Sequence, residues 1–118
     1  MVRRILNHIM KYDKEHRVMT CYIGNNDPHE WLTSSEGKAM VMPVLTKGCE
    51  ELVDSSEDEK KVLRVESIVR RTHKAHDFWV RKKDIGDTLE KIMDWALDTE
   101  EYEICARIKK IENKLQEF

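Results

Sequence analysis

The most regular apolar pattern of the chain lies in residues 85–117. Apolar side chains recur there three, four and seven positions apart, which places them on one face of a helix. The pattern stops at "LDTEEY" and then resumes, so it predicts two short amphipathic helices that fold back on each other as an antiparallel hairpin. The apolar positions are Leu89, Ile92, Met93 and Ala96 in the first helix and Ile104, Ile108, Ile111 and Leu115 in the second.

A second arc of apolar positions occupies residues 56–83. Ser56 and Glu59 match a capping box, which is typical of a helix start. The rival interpretation is a β-hairpin, because Leu63, Val65 and Val69 also alternate. The cap and the long arc favour a helix. At 100° per residue the arc contains Val62, Val65, Ile68, Val69, Thr72, Ala75, His76 and Trp79.

The amino-terminal half carries weaker patterns. Residues 3–16 have apolar positions at helical spacing and predict a first helix. Residues 17–23 are β-branched and aromatic enough for a short strand. Residues 35–53 predict another helix, which Pro43 would bend or split because proline lacks the amide proton.

These patterns together predict a mainly α-helical fold. We expect a small domain of five or six helices that ends in the antiparallel hairpin, with a minor β element near residues 17–23. Residues 1–84 form a helical region of unknown family in this interpretation, and we expect it to pack with residues 85–118 as one domain. A chain of 118 residues is of the usual size for a single domain.

Charge alternates along the chain although the net charge is only −2. The formal balance is +3 over residues 1–24, −7 over 25–59, +7 over 60–83 and −5 over 84–118.

Three widely spaced cysteines do not suggest a disulfide framework, and we expect reduced thiols in a cytoplasmic protein. No apolar run approaches the ~20 residues that span a bilayer, and the first residues do not match a secretory signal.

The segment "LEKIMDWALDTEEYEICARIKKIENKL" resembles the UVR motif, the helical hairpin of UvrB and UvrC that also occurs in McsA-like and ClpC-like proteins. The resemblance covers residues 85–117. The sequence departs from the motif at Lys109 and Lys110, where the family usually has Arg-Asp, and at Cys105. The matching positions are Leu89, Met93, Ala96, Glu101, Tyr102, Glu103, Ala106, Arg107, Ile108, Ile111 and Leu115.

The resemblance implies a non-catalytic hairpin that binds another protein or a second copy of itself. The leading hypothesis is therefore an adaptor or regulatory protein, with DNA-repair or protease-associated partners as the first candidates and a homodimer as a variant. The alternative is that the apolar stripes only close the core of the domain. The predicted contact residues are Trp95, Tyr102, Ile104, Arg107 and Ile108.

The basic stretch of residues 60–83 supports a hypothesis of another class, a nucleic-acid-binding protein. Its lysines and arginines would follow a phosphate backbone, and its aromatic residues would stack on unpaired bases. The alternative is a solvated surface that pairs with the acidic residues of the same chain. The predicted contact residues are Lys60, Arg64, Arg70, Arg71, Lys74, Trp79, Arg81, Lys82 and Lys83.

The sequence offers little for catalysis or metal binding. It contains no Gly-rich phosphate loop, no GxSxG and no HExxH. His73 and His76 have the spacing of a helical ligand pair and Asp77 is near, but a metal site normally needs three or four ligands that converge. We therefore expect a protein that is not an enzyme and has no cofactor and no metal.

Overall fold

The computed structural model of the protein describes residues 9–116. It has an α+β fold in which one four-stranded sheet is covered on one side by helices. The elements in chain order are β1 Ile9–Asp13, β2 Val18–Tyr22, α1 Pro28–Thr33, α2 Ser35–Val53, β3 Glu59–Val69, β4 Thr72–Arg81, a 3-10 turn Lys82–Asp84, α3 Ile85–Asp98 and α4 Tyr102–Gln116.

The strands lie side by side in chain order, β1-β2-β3-β4. The pairs β1–β2 and β3–β4 are antiparallel hairpins, whereas β2 and β3 run parallel. A parallel pair needs a long crossover connection, and α1 and α2 provide it. The crossover brings two hairpins that are distant in sequence into one sheet.

Local chemistry explains the start of both crossover helices. Asp27 caps α1 by accepting hydrogen bonds from the amides of His29 and Glu30, and Pro28 occupies the first helical turn. Ser34 caps α2 by accepting a hydrogen bond from the amide of Gly37. The predicted helix over residues 35–53 is present and continues through Pro43, so of the two predicted effects of this proline, a bend or a split, the split does not occur.

The core lies between the sheet and the helices. Cys21 of β2 and Val65 of β3 are fully buried against the helices, together with Met42 and Leu52 of α2. The α3–α4 hairpin packs on α2, and α3 also contacts β4. Within residues 9–116 no helix is long and apolar enough to cross a membrane.

The prediction of a mainly α-helical domain with five or six helices is wrong. Residues 9–116 contain four α-helices, one 3-10 turn and four strands, and the sheet is a main layer of the fold. The strand predicted near residues 17–23 is present as β2, and two helices lie where the hairpin of residues 85–117 was predicted.

Two predicted helices are strands. The stretch 56–83 forms the β3–β4 hairpin, because Leu63, Val65 and Ser67 alternate into the core while the residues between them face away. The predicted first helix over residues 3–16 is replaced from residue 9 onward by β1 and the turn that leads to β2. Its earlier part, residues 3–8, lies outside the described residues.

Candidate functional site

The side of the sheet opposite the helices is the candidate site, and we call it the outer face. Cys21 and Val65 are paired neighbours in the core, so the residues that alternate with them must point to the other side. Thr20 pairs with Arg64 there, and Arg64 pairs in turn with Asp77 of β4. The outer face includes Lys11, Thr20, Tyr22, Lys61, Arg64, Glu66, His73, Ala75, Asp77 and Trp79.

A chain of charged side chains crosses the outer face. Arg64 lies at its centre, with Nε 3.1 Å from Glu66 Oε2 and a terminal nitrogen 3.0 Å from Asp77 Oδ1. Lys61 Nζ lies 3.5 Å from the other oxygen of Asp77, and His73 Nε2 lies 2.7 Å from Glu66 Oε1. Both carboxylates of this network are therefore neutralised by cationic or hydrogen-bonding neighbours.

The ionisation of the network follows from these contacts. Burial alone would raise the pKa of Glu66, but hydrogen bonds from His73 and Arg64 outweigh it and lower the pKa below its ordinary value. Burial also opposes the charge of Arg64, yet its hydrogen bonds to Glu66 and Asp77 raise the pKa of the guanidinium. Arg64 thus stays charged and is held in place by its partners rather than free to bind a ligand.

Two aromatic rings on the outer face each lie near a lysine. Lys11 Nζ is 5.7 Å from the ring centre of Tyr22, and Lys61 Nζ is 5.4 Å from that of Trp79. Trp79 is 52% exposed, so a large part of its ring is open to a partner. Burial raises the pKa of Tyr22, and the nearby charge of Glu66 adds to this effect.

Arginines occupy tight turns at both ends of the sheet. Arg70 and Arg71 form the turn between β3 and β4 with φ of 51° and 67°, and Arg17 precedes β2 with φ of 55°. Residues other than glycine rarely adopt this left-handed backbone. Among residues 9–116 no ion pair involves any of these three arginines, so their charges are available to a ligand.

The fold separates the two signs of charge. The sheet and its connections, residues 9–26 and 59–83, carry 12 Lys+Arg and five Asp+Glu, a formal balance of +7. The helical parts, residues 27–58 and 84–116, carry seven Lys+Arg and 17 Asp+Glu, a balance of −10. The alternation seen along the sequence therefore becomes a basic sheet backed by an acidic helical layer.

The predicted nucleic-acid contacts are dispersed over this basic sheet. Arg64 and Trp79 lie on the outer face, and Arg70 and Arg71 lie at one end. Lys74 alternates to the helical side of β4, where its charge lowers the pKa of Asp27 after larger effects of backbone hydrogen bonds. The others lie at the opposite end: Lys60 beside Glu51, Arg81 beside Glu59, Lys82 donating to the carbonyl of Ser55, and exposed Lys83.

Three members of this surface were not predicted from the sequence: Lys11, Tyr22 and Lys61. Lys11 and Tyr22 belong to the first hairpin, which reaches β3 only through the parallel pairing of β2. No local sequence pattern predicts that pairing. The basic balance of residues 1–24 was the available signal, since it matches the sign of residues 60–83.

The predicted protein contacts of the α3–α4 hairpin are mostly engaged within the chain. Ile104 and Ile108 are buried in the core at 6% and 0% exposure. Arg107 donates two hydrogen bonds to the carboxylate of Glu50, at 3.0 and 2.7 Å. Trp95 is half-buried, with Lys38 Nζ 5.5 Å from its ring centre. Tyr102 is the exposed member of the set.

The fold does not bring His73, His76 and Asp77 together as one group of metal ligands. His73 lies on the outer face and His76 on the helical side, because adjacent strand positions alternate. Within the described residues, Asp13, Glu15 and His16 bring three potential ligand atoms close together. His16 Nδ1 lies 2.7 Å from Asp13 Oδ2, and this hydrogen bond is the largest cause of the lowered pKa of Asp13. The hydrogen bonds within this group account for the short distances between its potential ligand atoms.

Comparisons with protein-family models, curated proteins and solved structures gave no match. The UVR resemblance of residues 85–117 therefore stays a prediction that depends on the residues alone.

Proposed function

We propose that the protein is a non-enzymatic binding module that holds single-stranded nucleic acid on the outer face of its sheet. The supporting observation is the separation of charge between a sheet at +7 and helices at −10. A polyanion would be attracted to one side of the molecule and repelled from the other. The cytoplasm is the proposed location, supported by three cysteines that are all free thiols.

The geometry of the outer face suits an unpaired strand. A sheet with aromatic side chains on an open face is one of the forms in which proteins bind unpaired bases. Trp79 offers a partly exposed ring with Lys61 beside it, and Tyr22 and Lys11 repeat this combination on β2 and β1. Bases would stack on the rings, while Lys11 and the arginines of the β3–β4 turn meet the phosphates.

The acidic residues of the outer face do not oppose this proposal. Glu66 and Asp77 are each engaged by Arg64, and His73 and Lys61 complete their hydrogen bonds or ion pairs. The free cations lie around this network, at Lys11 and at the turn of Arg70 and Arg71. The backbone of a strand would therefore run along the cationic rim, with its bases over the sheet.

Fluorescence anisotropy with labelled single-stranded RNA and DNA over a range of salt concentrations tests the proposal. The variant Arg70→Gln/Arg71→Gln should weaken binding and reduce the slope of log K against log salt by about 1.4, because each phosphate contact to a single strand contributes about 0.7. The matched control is Lys109→Gln/Lys110→Gln, which removes two adjacent exposed cations from the acidic helical layer. Equal loss in both variants would rule out the sheet as the binding surface.

The stacking role of Trp79 has its own test. Trp79→Ala should cost ~1–3 kcal/mol of binding free energy, the usual effect of removing one base-stacking ring, whereas Trp79→Phe should keep most of the affinity. Thermal melting of both variants checks that the fold is intact. Unchanged affinity in Trp79→Ala would exclude stacking at this position.

A second candidate is a protein contact at the turn of the α3–α4 hairpin. Leu97 and Tyr102 flank this turn and are 55% and 64% exposed, whereas the apolar stripe of the hairpin is buried or partly buried. The UVR resemblance supports a protein partner there, from DNA repair or a protease system, or a second copy in a two-fold dimer. Sedimentation at two concentrations tests the dimer: Tyr102→Ala should reduce association, and a parent that is monomeric at high micromolar concentration excludes it.

A further inference from the structure

A cavity of about 300 Å³ lies at one end of the sheet, where the β1–β2 hairpin meets α2. Its walls come from three parts of the chain: the β1–β2 hairpin, the second half of α2, and the first residues of β3. The proposed nucleic-acid surface shares Lys61 with this cavity but does not use its other charged residues. We call it the end pocket, and the residues that define its chemistry are Tyr12, Arg17, Lys47, Glu51 and Lys60.

Close packing of α2 on β3 builds this pocket. Gly48 of α2 meets the side chain of Val62 so closely that a Cβ at this position would overlap Val62 Cγ1. The register of β3 against β4 shifts between Lys61 and Leu63, which buries Val62 and Leu63 in succession. The contact fixes the position of Lys47, the neighbour of Gly48, at the pocket wall.

The end pocket is cationic although it lies partly in the acidic helical layer. Its charged lining consists of four cations and one carboxylate, that of Glu51; the cations are Arg17, Lys47, Lys60 and Lys61, and Lys61 is paired with Asp77 of the outer face. Lys60 Nζ lies 3.9 Å from Glu51 Oε1, so these two charges offset each other. In the part of the chain that the structure describes, Arg17 and Lys47 take part in no ion pair. Two uncompensated cations therefore share one cavity.

The remaining walls are apolar and aromatic. Tyr12 lines the pocket and is 57% exposed, while Met19, Val44 and Val62 supply an apolar surface beside it. An anion alone would leave this ring and the apolar wall without a partner. A ligand that joins an anionic group to a planar ring would contact both halves of the pocket.

We propose that the end pocket binds a nucleoside monophosphate, with its phosphate between Arg17 and Lys47 and its base against Tyr12. The ligand has two sources: a free mononucleotide, or the terminal nucleotide of a bound strand. The second source depends on the proposed function, because a strand must be held on the outer face for its end to reach the pocket. Lys61 belongs to both surfaces, so the two adjoin. The first source does not depend on it.

Isothermal titration calorimetry with adenosine 5′-monophosphate, adenosine and inorganic phosphate tests the pocket. The monophosphate should bind at least about tenfold more tightly than either fragment, because it alone meets both the cations and the ring. Lys47→Glu should weaken its binding at least about tenfold, and Tyr12→Ala should reduce it to the level of inorganic phosphate. The control Lys109→Glu reverses an exposed charge outside the pocket and should leave binding unchanged.

Oligonucleotides with a 5′-phosphate, a 3′-phosphate or hydroxyl ends distinguish the two sources. A terminal phosphate that strengthens binding in the parent but not in Lys47→Glu assigns the pocket to a strand end. Binding of the monophosphate with no effect of either terminal phosphate assigns it to a free mononucleotide. The proposal is overturned if neither is seen, or if Lys47→Glu and Lys109→Glu behave alike. The hydroxyl-ended strand reports on the outer face alone, so its binding separates a failure of the pocket from a failure of the proposed function.

Discussion

The β3–β4 hairpin and the α3–α4 hairpin lie next to each other in the chain but bury different shares of their surface. The α3–α4 hairpin places Leu89, Ile92 and Ile108 in the core, all fully buried. The β3–β4 hairpin buries residues such as Leu63 and Val65 on one side and presents charged and aromatic residues on the other. A hairpin that uses its apolar stripe in the core has little of it left for a partner, whereas a strand pair keeps a whole face available.

The substitution Ile108→Asp should give the largest effect, because it tests the buried side of this comparison. Ile108 is fully buried in α4, and a carboxylate there would have no partner. Burying an uncompensated charge costs several kcal/mol, so we expect a loss of at least ~3 kcal/mol in the free energy of unfolding or no folded protein.

Urea denaturation followed by circular dichroism measures this loss. The control is Lys109→Asp, which places the same side chain at the adjacent exposed position of α4. It should change the free energy of unfolding by no more than ~0.5 kcal/mol. A stable Ile108→Asp variant would show that the α3–α4 hairpin does not bury this face.

A substitution to alanine at Gly48 should give the next largest effect. The added Cβ would overlap Val62 of β3, and overpacking of this kind typically costs ~1–3 kcal/mol. The control is Gly86→Ala in the first turn of α3, where an added Cβ meets nothing within 4 Å and alanine restricts the unfolded chain, a gain of up to ~1 kcal/mol. The two glycine substitutions should therefore move the thermal midpoint in opposite directions, and a shift of the same sign would contradict the close approach of α2 to β3.

The sequence predicted the two hairpins unequally, for a physical reason. In the α3–α4 hairpin every buried residue follows one helical period, so a local pattern is sufficient. In β3 the register shift buries Val62 and Leu63 together, which breaks the alternation expected of a strand. The turn consists of Arg70 and Arg71, whereas an Asn-Gly pair is the usual sequence signal of a two-residue hairpin. Because that signal is missing, the sequence pattern favoured a helix over this stretch.

The candidate site was predictable only in part. The basic stretch gave Arg70, Arg71 and Trp79 directly, since these residues are local to one hairpin. The partners Lys11 and Tyr22 enter the same surface through the parallel pairing of β2 with β3. That pairing depends on a crossover of two helices, and no short-range pattern of the sequence specifies it.

The turn of the β3–β4 hairpin allows stability and binding to be separated. Arg70 and Arg71 both have left-handed backbone, which asparagine and glycine adopt more readily. Arg70→Asn/Arg71→Gly should therefore raise the free energy of unfolding by about 1 kcal/mol, while it removes two cations from the proposed nucleic-acid surface. Urea denaturation and anisotropy on the same samples should show higher stability with weaker binding.

The control for this turn lies in the α3–α4 hairpin, at Glu100, which has φ of 59°. Glu100→Asn should relax the same kind of backbone and stabilise the protein by a few tenths of a kcal/mol, with binding unchanged or slightly stronger. Weaker nucleic-acid binding in Glu100→Asn would mean that the turn chemistry, not the lost arginine charge, controls the affinity.

The ion pair between Arg107 and Glu50 should give the smallest effect, and its sign depends on pH. The hydrogen bonds from Arg107 lower the pKa of Glu50 below its ordinary value of 4.5 and outweigh the opposing effect of burial. A carboxylate with a lowered pKa stabilises the fold fully above the ordinary value, and this contribution disappears as pH falls through the lowered pKa.

The side chains of Arg107 and Glu50 are both more than one third exposed, so we expect the pair to contribute less than ~1 kcal/mol to the free energy of unfolding. Arg107→Gln should therefore be less stable than the parent in urea at pH 7, and the difference should be smaller at pH 3. Arg107→Lys keeps the charge but not the two parallel hydrogen bonds, so its free energy of unfolding at pH 7 should lie between those of the parent and Arg107→Gln. A difference that is the same at both pH values would show that Arg107 ties α4 to α2 by packing alone.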